Sequence, residues 1–185
     1  MAEYTSRSFD LLTLGQLLLR LSPPDNDRLS RGDTFVKQVG GAELNVAVGA
    51  SLLGLRTGVI SKLPSHDIGS FMKGKIRSFG VSDDFFMYDD SPSARVGIYY
   101  YENGAYPRKP KVIYDRMNSS FFSLNIDEIP KEVYTASKCF HTTGITLALS
   151  PQIRETTIEM IKRFKEAGTL VSFDVNFRGN LWKRR

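Results

Sequence analysis

Hydrophobic and polar positions follow two different periods along the chain. FDLLTLG (9–15), TGVISKLP (57–64) and KCFHTTGI (138–145) are short apolar runs closed by glycine or proline. That pattern predicts strands buried on both faces. FFMYD (85–89) adds a shorter strand, and TLVSFDVNFR (169–178) reads as the last. Between them the period lengthens to that of a helix. GAELNVAVGASLLGL (41–55) is apolar nearly all round, with Gly54 and Gly58 punctuating its end. IGSFMKGKIRSFG (68–80) sets Ile68, Phe71, Met72, Ile76 and Phe79 on one face, with lysines and an arginine opposite. SPQIRETTIEMIKRFKEAG (150–168) has Ser150 as N-cap, Pro151 at the first helical position and Gly168 as stop. Its inward stripe is Ile153, Thr157, Met160, Ile161 and Phe164. Strands alternating with helices predict an α/β fold, with parallel pairing and right-handed crossovers.

Two stretches break this rhythm. LLLRLSPP (17–24) reads as a second extended piece before a Pro-Pro stop, PPDNDRLSRGD as a loop, and TFVKQV (34–39) as a half-exposed strand. Further on, ARVGIYYYENG (94–104) and KVIYDRMNSS (111–120) are aromatic and β-branched, separated by the turn-rich AYPRKP. No helix separates them, so they predict a hairpin, a small sheet inserted into the α/β frame.

Composition changes this picture little. The 185 residues are 41% hydrophobic and 24% charged, ordinary for one globular domain. Lys183, Arg184 and Arg185 supply three charges of the net +5, and nothing else forms a basic block. Nucleic acid is therefore not an expected partner. LLTLGQLLLRL is interrupted by Gly15, Gln16 and Arg20 and is too short to span a bilayer, so no membrane partner is expected either. With Cys139 as the only cysteine and no secretory signal in MAEYTSRSFD, a reducing, cytoplasmic setting is expected. Cys139 reads as a core thiol and His141 as a packed core histidine. Two histidines without metal-ligand spacing predict no metal site.

Three stretches carry candidate chemistry. Gly40 and Gly41 before a helix allow backbone amides to approach a ligand, and Asn45 offers both donor and acceptor, which suits a polyol. A glycine turn with a capping asparagine explains the stretch equally well. In the hairpin, alternation puts Tyr114 and Arg116 on one strand face and Tyr99 and Tyr101 on another shared face. The Tyr114-x-Arg116 pair could stack on and hydrogen-bond a ligand, or be a packed tyrosine beside a solvated arginine. At the end of the last strand, Asp174, Asn176 and Arg178 alternate so that all three can aim to one side. Three such polar residues are hard to place in a core.

Taken in order, GGAELNVAVGASLLGLRTGVISKLP, VIYDR, FHTTGITLALSP and DVNFRGNLW resemble the phosphofructokinase-B (ribokinase-like) carbohydrate kinases. Within them the chain is most similar to the 2-keto-3-deoxygluconate kinases, over essentially all 185 residues. The resemblance implies a three-layer α/β/α core, with a small β-sheet lid from segments near 17–39 and 94–120 that often also builds a dimer. It implies that Gly40, Gly41 and Asn45 bind sugar hydroxyls, that Tyr99, Tyr114 and Arg116 reach down from the lid, and that Arg178 sits at the pocket floor. Asp174 and Asn176 would stand on the phosphate side or behind it. Two arginines aimed at one small pocket suit a carboxylate, which favours an acid sugar over a neutral one such as fructose.

The family's Gly-Ala-Gly-Asp turn and catalytic aspartate, which belong with the ATP and Mg2+ site, are absent from the sequence. The chain is accordingly expected to be the sugar-binding, N-terminal part of a kinase, truncated before the nucleotide-binding half and inactive alone. The alternatives are a truncated sugar-binding or dimerisation module and a kinase for a neutral sugar. A dinucleotide-binding protein is disfavoured, since LTLGQLLLR lacks G-x-G-x-x-G. Gln16 also stands where these kinases often carry a glutamate.

Overall fold

A computed structural model describes residues 7–182; Lys183, Arg184 and Arg185 lie outside the described residues. In chain order the strands are β1 (Phe9–Leu14), β2 (Leu18–Ser22), β3 (Val36–Gly40), β4 (Thr57–Pro64) and β5 (Val81–Ser82). They continue with β6 (Phe86–Asp89), β7 (Gly97–Glu102), β8 (Lys111–Asp115), β9 (Ser137–Thr143) and β10 (Leu170–Asp174). The helices are α1 (Ala42–Leu52), α2 (Asp67–Ser78), α3 (Val133–Ala136), α4 (Gly144–Leu147) and α5 (Pro151–Glu166).

The main sheet runs β10-β9-β1-β4-β5, with β6 also pairing β4, and every pairing in it is parallel. Both of its faces are covered, which explains the unbroken apolar runs: β4 is buried at every position. On one face Leu12, Leu14, Ile60 and Phe140 pack with Ile153, Met160 and Phe164 of α5. On the other, Val59 and Leu63 pack with Leu44 and Ala47 of α1 and Met72 and Ile76 of α2. The result is a three-layer α/β/α arrangement.

A second sheet of four strands, β3-β2-β7-β8, stands apart from the first. β7 and β8 form the predicted antiparallel pair, with Tyr99 opposite Tyr114. The central pairing, β2 with β7, is parallel and joins segments distant in sequence, Arg20 lying opposite Tyr99.

Several predicted boundaries are corrected. The strand expected over 111–120 ends at Asp115, because Phe121 and Leu124 turn inward to the main core through short 3-10 turns. The strand expected to reach 145 stops at Thr143, whose side chain accepts a hydrogen bond from the Ile145 N–H and starts α4. The last strand ends at Asp174 rather than 178: Asp174 Oδ1 accepts from the Asn176 N–H at 2.9 Å, and Asn176 turns left-handed with φ 32°. Phe79 follows the end of α2 and is exposed, not part of its inward stripe. β5 has two residues and is too short to leave a periodic signal.

Candidate functional site

The main-sheet order reverses beside β1, whose neighbours are β4 on one side and β9 on the other. Ligands of open α/β sheets bind beyond the carboxyl ends of strands at such a point. Here the ends of β1, β9 and β10 face the underside of the second sheet across a cavity of about 750 Å³. Gln16 follows β1, Ile145 follows β9, and Asn176 and Arg178 follow β10; all four line the cavity.

The floor is built at the β3–α1 junction. Gly41 caps α1 with φ 155°, and a β-carbon there would lie 2.9 Å from the Gln16 carbonyl oxygen. Glycine is required for that close approach. Asn45 follows one turn later, its N–H bonded to the Gly41 carbonyl at 3.0 Å. Its side chain is exposed and lines the cavity. The neighbouring Glu43 is 2% exposed, and its Oε1 accepts from the hydroxyls of Thr143 and Thr146, each at 2.7 Å. The helix N-terminus favours a carboxylate in that first turn.

The roof comes from the small sheet. Tyr99 and Tyr114 lie side by side with ring centroids 5.9 Å apart, and the Arg116 guanidinium carbon sits 5.7 Å from the Tyr114 centroid. Burial pushes the Tyr99 hydroxyl pKa up and the Arg116 guanidinium pKa down. Arg116 Nε and Nη2 donate to Gln16 Oε1 at 2.8 and 2.6 Å. In return Gln16 Nε2 donates to the Arg116 carbonyl at 3.0 Å and to Ser119 Oγ at 2.8 Å. Floor and roof are thus joined through one amide.

The cavity brings together Gly41, Asn45, Tyr99, Tyr114, Arg116, Asn176 and Arg178. Gly40 lies behind the lining, beneath the Tyr99 hydroxyl. Asp174 is not brought in: its carboxylate is used at the chain turn, because the strand ends before alternation can aim it at the cavity.

Polar lining residues missed as candidates include Gln16, Arg20, Glu43, Tyr101 and Asn180. Arg20 and Tyr101 stack across β2 and β7, guanidinium carbon 4.4 Å from the ring centroid. Tyr101 shares a strand face with Tyr99, a signal that could have included it. Arg20 was legible only as a break in a leucine run. His141 packs away from the cavity lining, its Nδ1 2.9 Å from Ser172 Oγ. The Cys139 thiol is pushed up by burial, which disfavours a reactive thiolate. Among the described residues no three His, Cys, Asp or Glu side chains cluster to hold a metal ion, and no helix is long and apolar enough to cross a membrane.

Residues 8–185 match the family described as pfkB family carbohydrate kinase. The chain belongs to the pfkB family. Among its relatives, the 2-dehydro-3-deoxygalactonokinase of Haloferax volcanii is 40% identical over 94% of this chain and 54% of its own length. The 2-dehydro-3-deoxygluconokinase of Bacillus subtilis is 31% identical, over 94% of this chain and 53% of its own. The crystal structure of a 2-dehydro-3-deoxygluconokinase from Thermotoga maritima superposes with a TM-score of 0.88 at 35% identity, covering 94% of this chain and 53% of that one. This pfkB chain therefore spans about half the length of the relatives it matches.

Proposed function

We propose that this chain forms the sugar-binding part of a kinase that transfers the γ-phosphoryl group of ATP to a hydroxyl of 2-dehydro-3-deoxygluconate or a closely similar acid sugar. One observation carries the reading. Arg116 is partly buried, yet its side-chain hydrogen bonds go to the neutral Gln16 alone, and no carboxylate within 4.0 Å pairs with it among the described residues. A cation partly withdrawn from water without a counter-charge is costly unless a ligand supplies one. Arg178 lines the same cavity and adds to the preference for an anion.

In this reading Asn45 and the α1 amides take sugar hydroxyls, Tyr99 and Tyr114 cover the ring, and Arg116 with Arg178 takes the carboxylate. Gly40 serves by leaving room for Tyr99, and Asn176 borders the phosphoryl side. ATP and Mg2+ would be held mainly in the length that relatives have and this chain does not span. The described residues offer neither a metal cluster nor a Gly-Ala-Gly-Asp turn, so they fit the sugar and not the phosphoryl donor. Phosphoryl transfer depends on positioned charge around the transferred group; these 185 residues alone are expected to bind sugar without turnover.

Calorimetry on the purified chain tests this. Binding of 2-dehydro-3-deoxygluconate at least tenfold tighter than fructose is expected. Equal or tighter binding of fructose would replace the acid sugar by a neutral one. A second reading concerns assembly: β8 is an edge strand exposed along its whole length, and two lids pairing through it would give a homodimer. Analytical ultracentrifugation should then give twice the chain mass of 20.8 kDa.

A further inference from the structure

Alternate residues of the lid strands face the cavity, and the strand registers sort them into rows. Arg20 lies opposite Tyr99, Tyr99 opposite Tyr114, and Tyr101 opposite Val112. Arg116, two residues past Tyr114, stands one row further in, beside Gly97 and bonded to Gln16. From the main sheet outward the rows are therefore Arg116, then Arg20 with Tyr99 and Tyr114, then Tyr101 with Val112. All of these side chains line the one cavity.

The two lid arginines point in opposite directions along this series. Gln16 holds the Arg116 head at the inner row. The Arg20 guanidinium carbon lies 4.4 Å from the Tyr101 ring centroid, and its Nε donates to Ser22 Oγ at 2.9 Å, so its head lies over the outer row. Residues four apart on a strand are separated by about 13 Å, which is the span between the inner and outer rows. A carboxylate held by Arg116 and Arg178 does not extend to Arg20.

Arg20 is nonetheless arranged for a ligand. Its side chain is partly buried, and its face rests on Tyr101. Apart from the Nε contact to Ser22, it makes no hydrogen bond and no ion pair among the described residues. The terminal N–H groups of a guanidinium form a planar fork that matches two oxygens of a phosphate or carboxylate. Burial raises the Tyr99 hydroxyl pKa and the positive charge of Arg20 acts against it, so that hydroxyl lies within the arginine's field. The acid in the lining, Glu43, belongs to the floor and is engaged by Thr143 and Thr146.

We propose that Arg20, seated on Tyr101, is a second anion subsite at the outer end of the cavity, taking a phosphate or carboxylate group that lies beyond the sugar. It depends on the acid-sugar reading only for what fills the inner end.

Phosphorus NMR titration with inorganic phosphate tests this first on the unaltered chain saturated with 2-dehydro-3-deoxygluconate. Phosphate should still bind, with a Kd of about 1–10 mM, because the sugar acid fills only the inner end. Complete displacement of phosphate by the sugar would show a single anion site and overturns the proposal. Arg20→Gln keeps a polar side chain and removes the charge. Phosphate should bind this variant at least about tenfold more weakly, whereas the Kd of the sugar acid should shift far less. Undiminished phosphate affinity in Arg20→Gln overturns the proposal, also where that variant instead loses a dimer, which would assign Arg20 to a second copy of the chain. The phosphate ester of the acid sugar at the hydroxyl furthest from its carboxylate separates the two sources of the anion. Competition between ester and inorganic phosphate that disappears in Arg20→Gln supports a phosphate carried on the sugar; simultaneous binding of both supports a free anion. If the acid sugar fails to bind, the acid-sugar reading falls, while phosphate binding to the empty chain that depends on Arg20 still supports the outer subsite.

Discussion

A β-carbon placed on Gly40 would lie 2.6 Å from the hydroxyl oxygen of Tyr99, so the absence of a side chain at the end of β3 lets the lid tyrosine descend to the floor. Gly40→Ala should push the Tyr99 ring outward and open the cavity. We expect sugar affinity to fall about tenfold or more, with little loss of thermal stability. In a Tyr99→Phe background the oxygen is gone, and the same alanine should cost less. A double-mutant cycle by calorimetry reads the coupling; strictly additive losses would show that the two residues do not meet in solution.

Glu43 has its carboxylate in the protein interior with hydroxyl donors from Thr143 and Thr146. Thr146→Val leaves the carboxylate with one of these two donors and should destabilise by about 1–3 kcal/mol. Urea unfolding followed by circular dichroism measures it. Glu43→Gln keeps an acceptor for the same hydroxyls and should cost less than the valine substitution.

The ring of Phe164 in α5 stacks on Phe140 at 4.1 Å and meets Tyr134 edge-on at 5.1 Å. It is fully buried. Phe164→Ala would leave a void between α5 and the sheet and should cost about 3–5 kcal/mol. The denaturation midpoint should drop accordingly. A loss below about 1 kcal/mol would mean that α5 does not pack there.

Stability should fall in two separate steps as pH is lowered. Burial holds the His141 pKa below its ordinary 6.5, so the unfolded chain takes up that proton first, and stability declines as pH drops below about 6.5. The Lys138 ammonium, then the Arg56 backbone and side chain, hold the Asp10 carboxyl far below its ordinary 3.8. Asp10 is partly exposed, so its contribution of about 1 kcal/mol is present above roughly pH 4 and lost below it. Melting temperatures from pH 7.5 to 3 should show both steps. His141→Gln should flatten the upper one and Asp10→Asn the lower one.

The positions where expectation and structure part company share a cause. Periodicity located β1, β4, α1, α2 and α5 because each buries a face against the sheet, and burial writes its period into the residue order. It misjudged the chain after Asp115 and after Asp174 because direction there is set by single hydrogen bonds and by a few inward aromatics. Phe121 enters the main core instead of extending the lid. Asp174 accepts the Asn176 N–H and bends the exit segment, which removes Asp174 from the cavity and leaves Asn176 and Arg178 lining it.

By itself the residue order determined a parallel α/β core and an inserted β sheet, and it named Gly41, Asn45, Tyr99, Tyr114, Arg116, Asn176 and Arg178, which line the cavity between them. It could not determine that β2 pairs with β7, nor that Gln16 makes three hydrogen bonds with Arg116, one hundred positions away, and a fourth with Ser119. Apolar burial is repeated and local, so it shows in one dimension. A buried polar clamp is a single event between distant residues, and only the folded chain brings its donors and acceptors within reach.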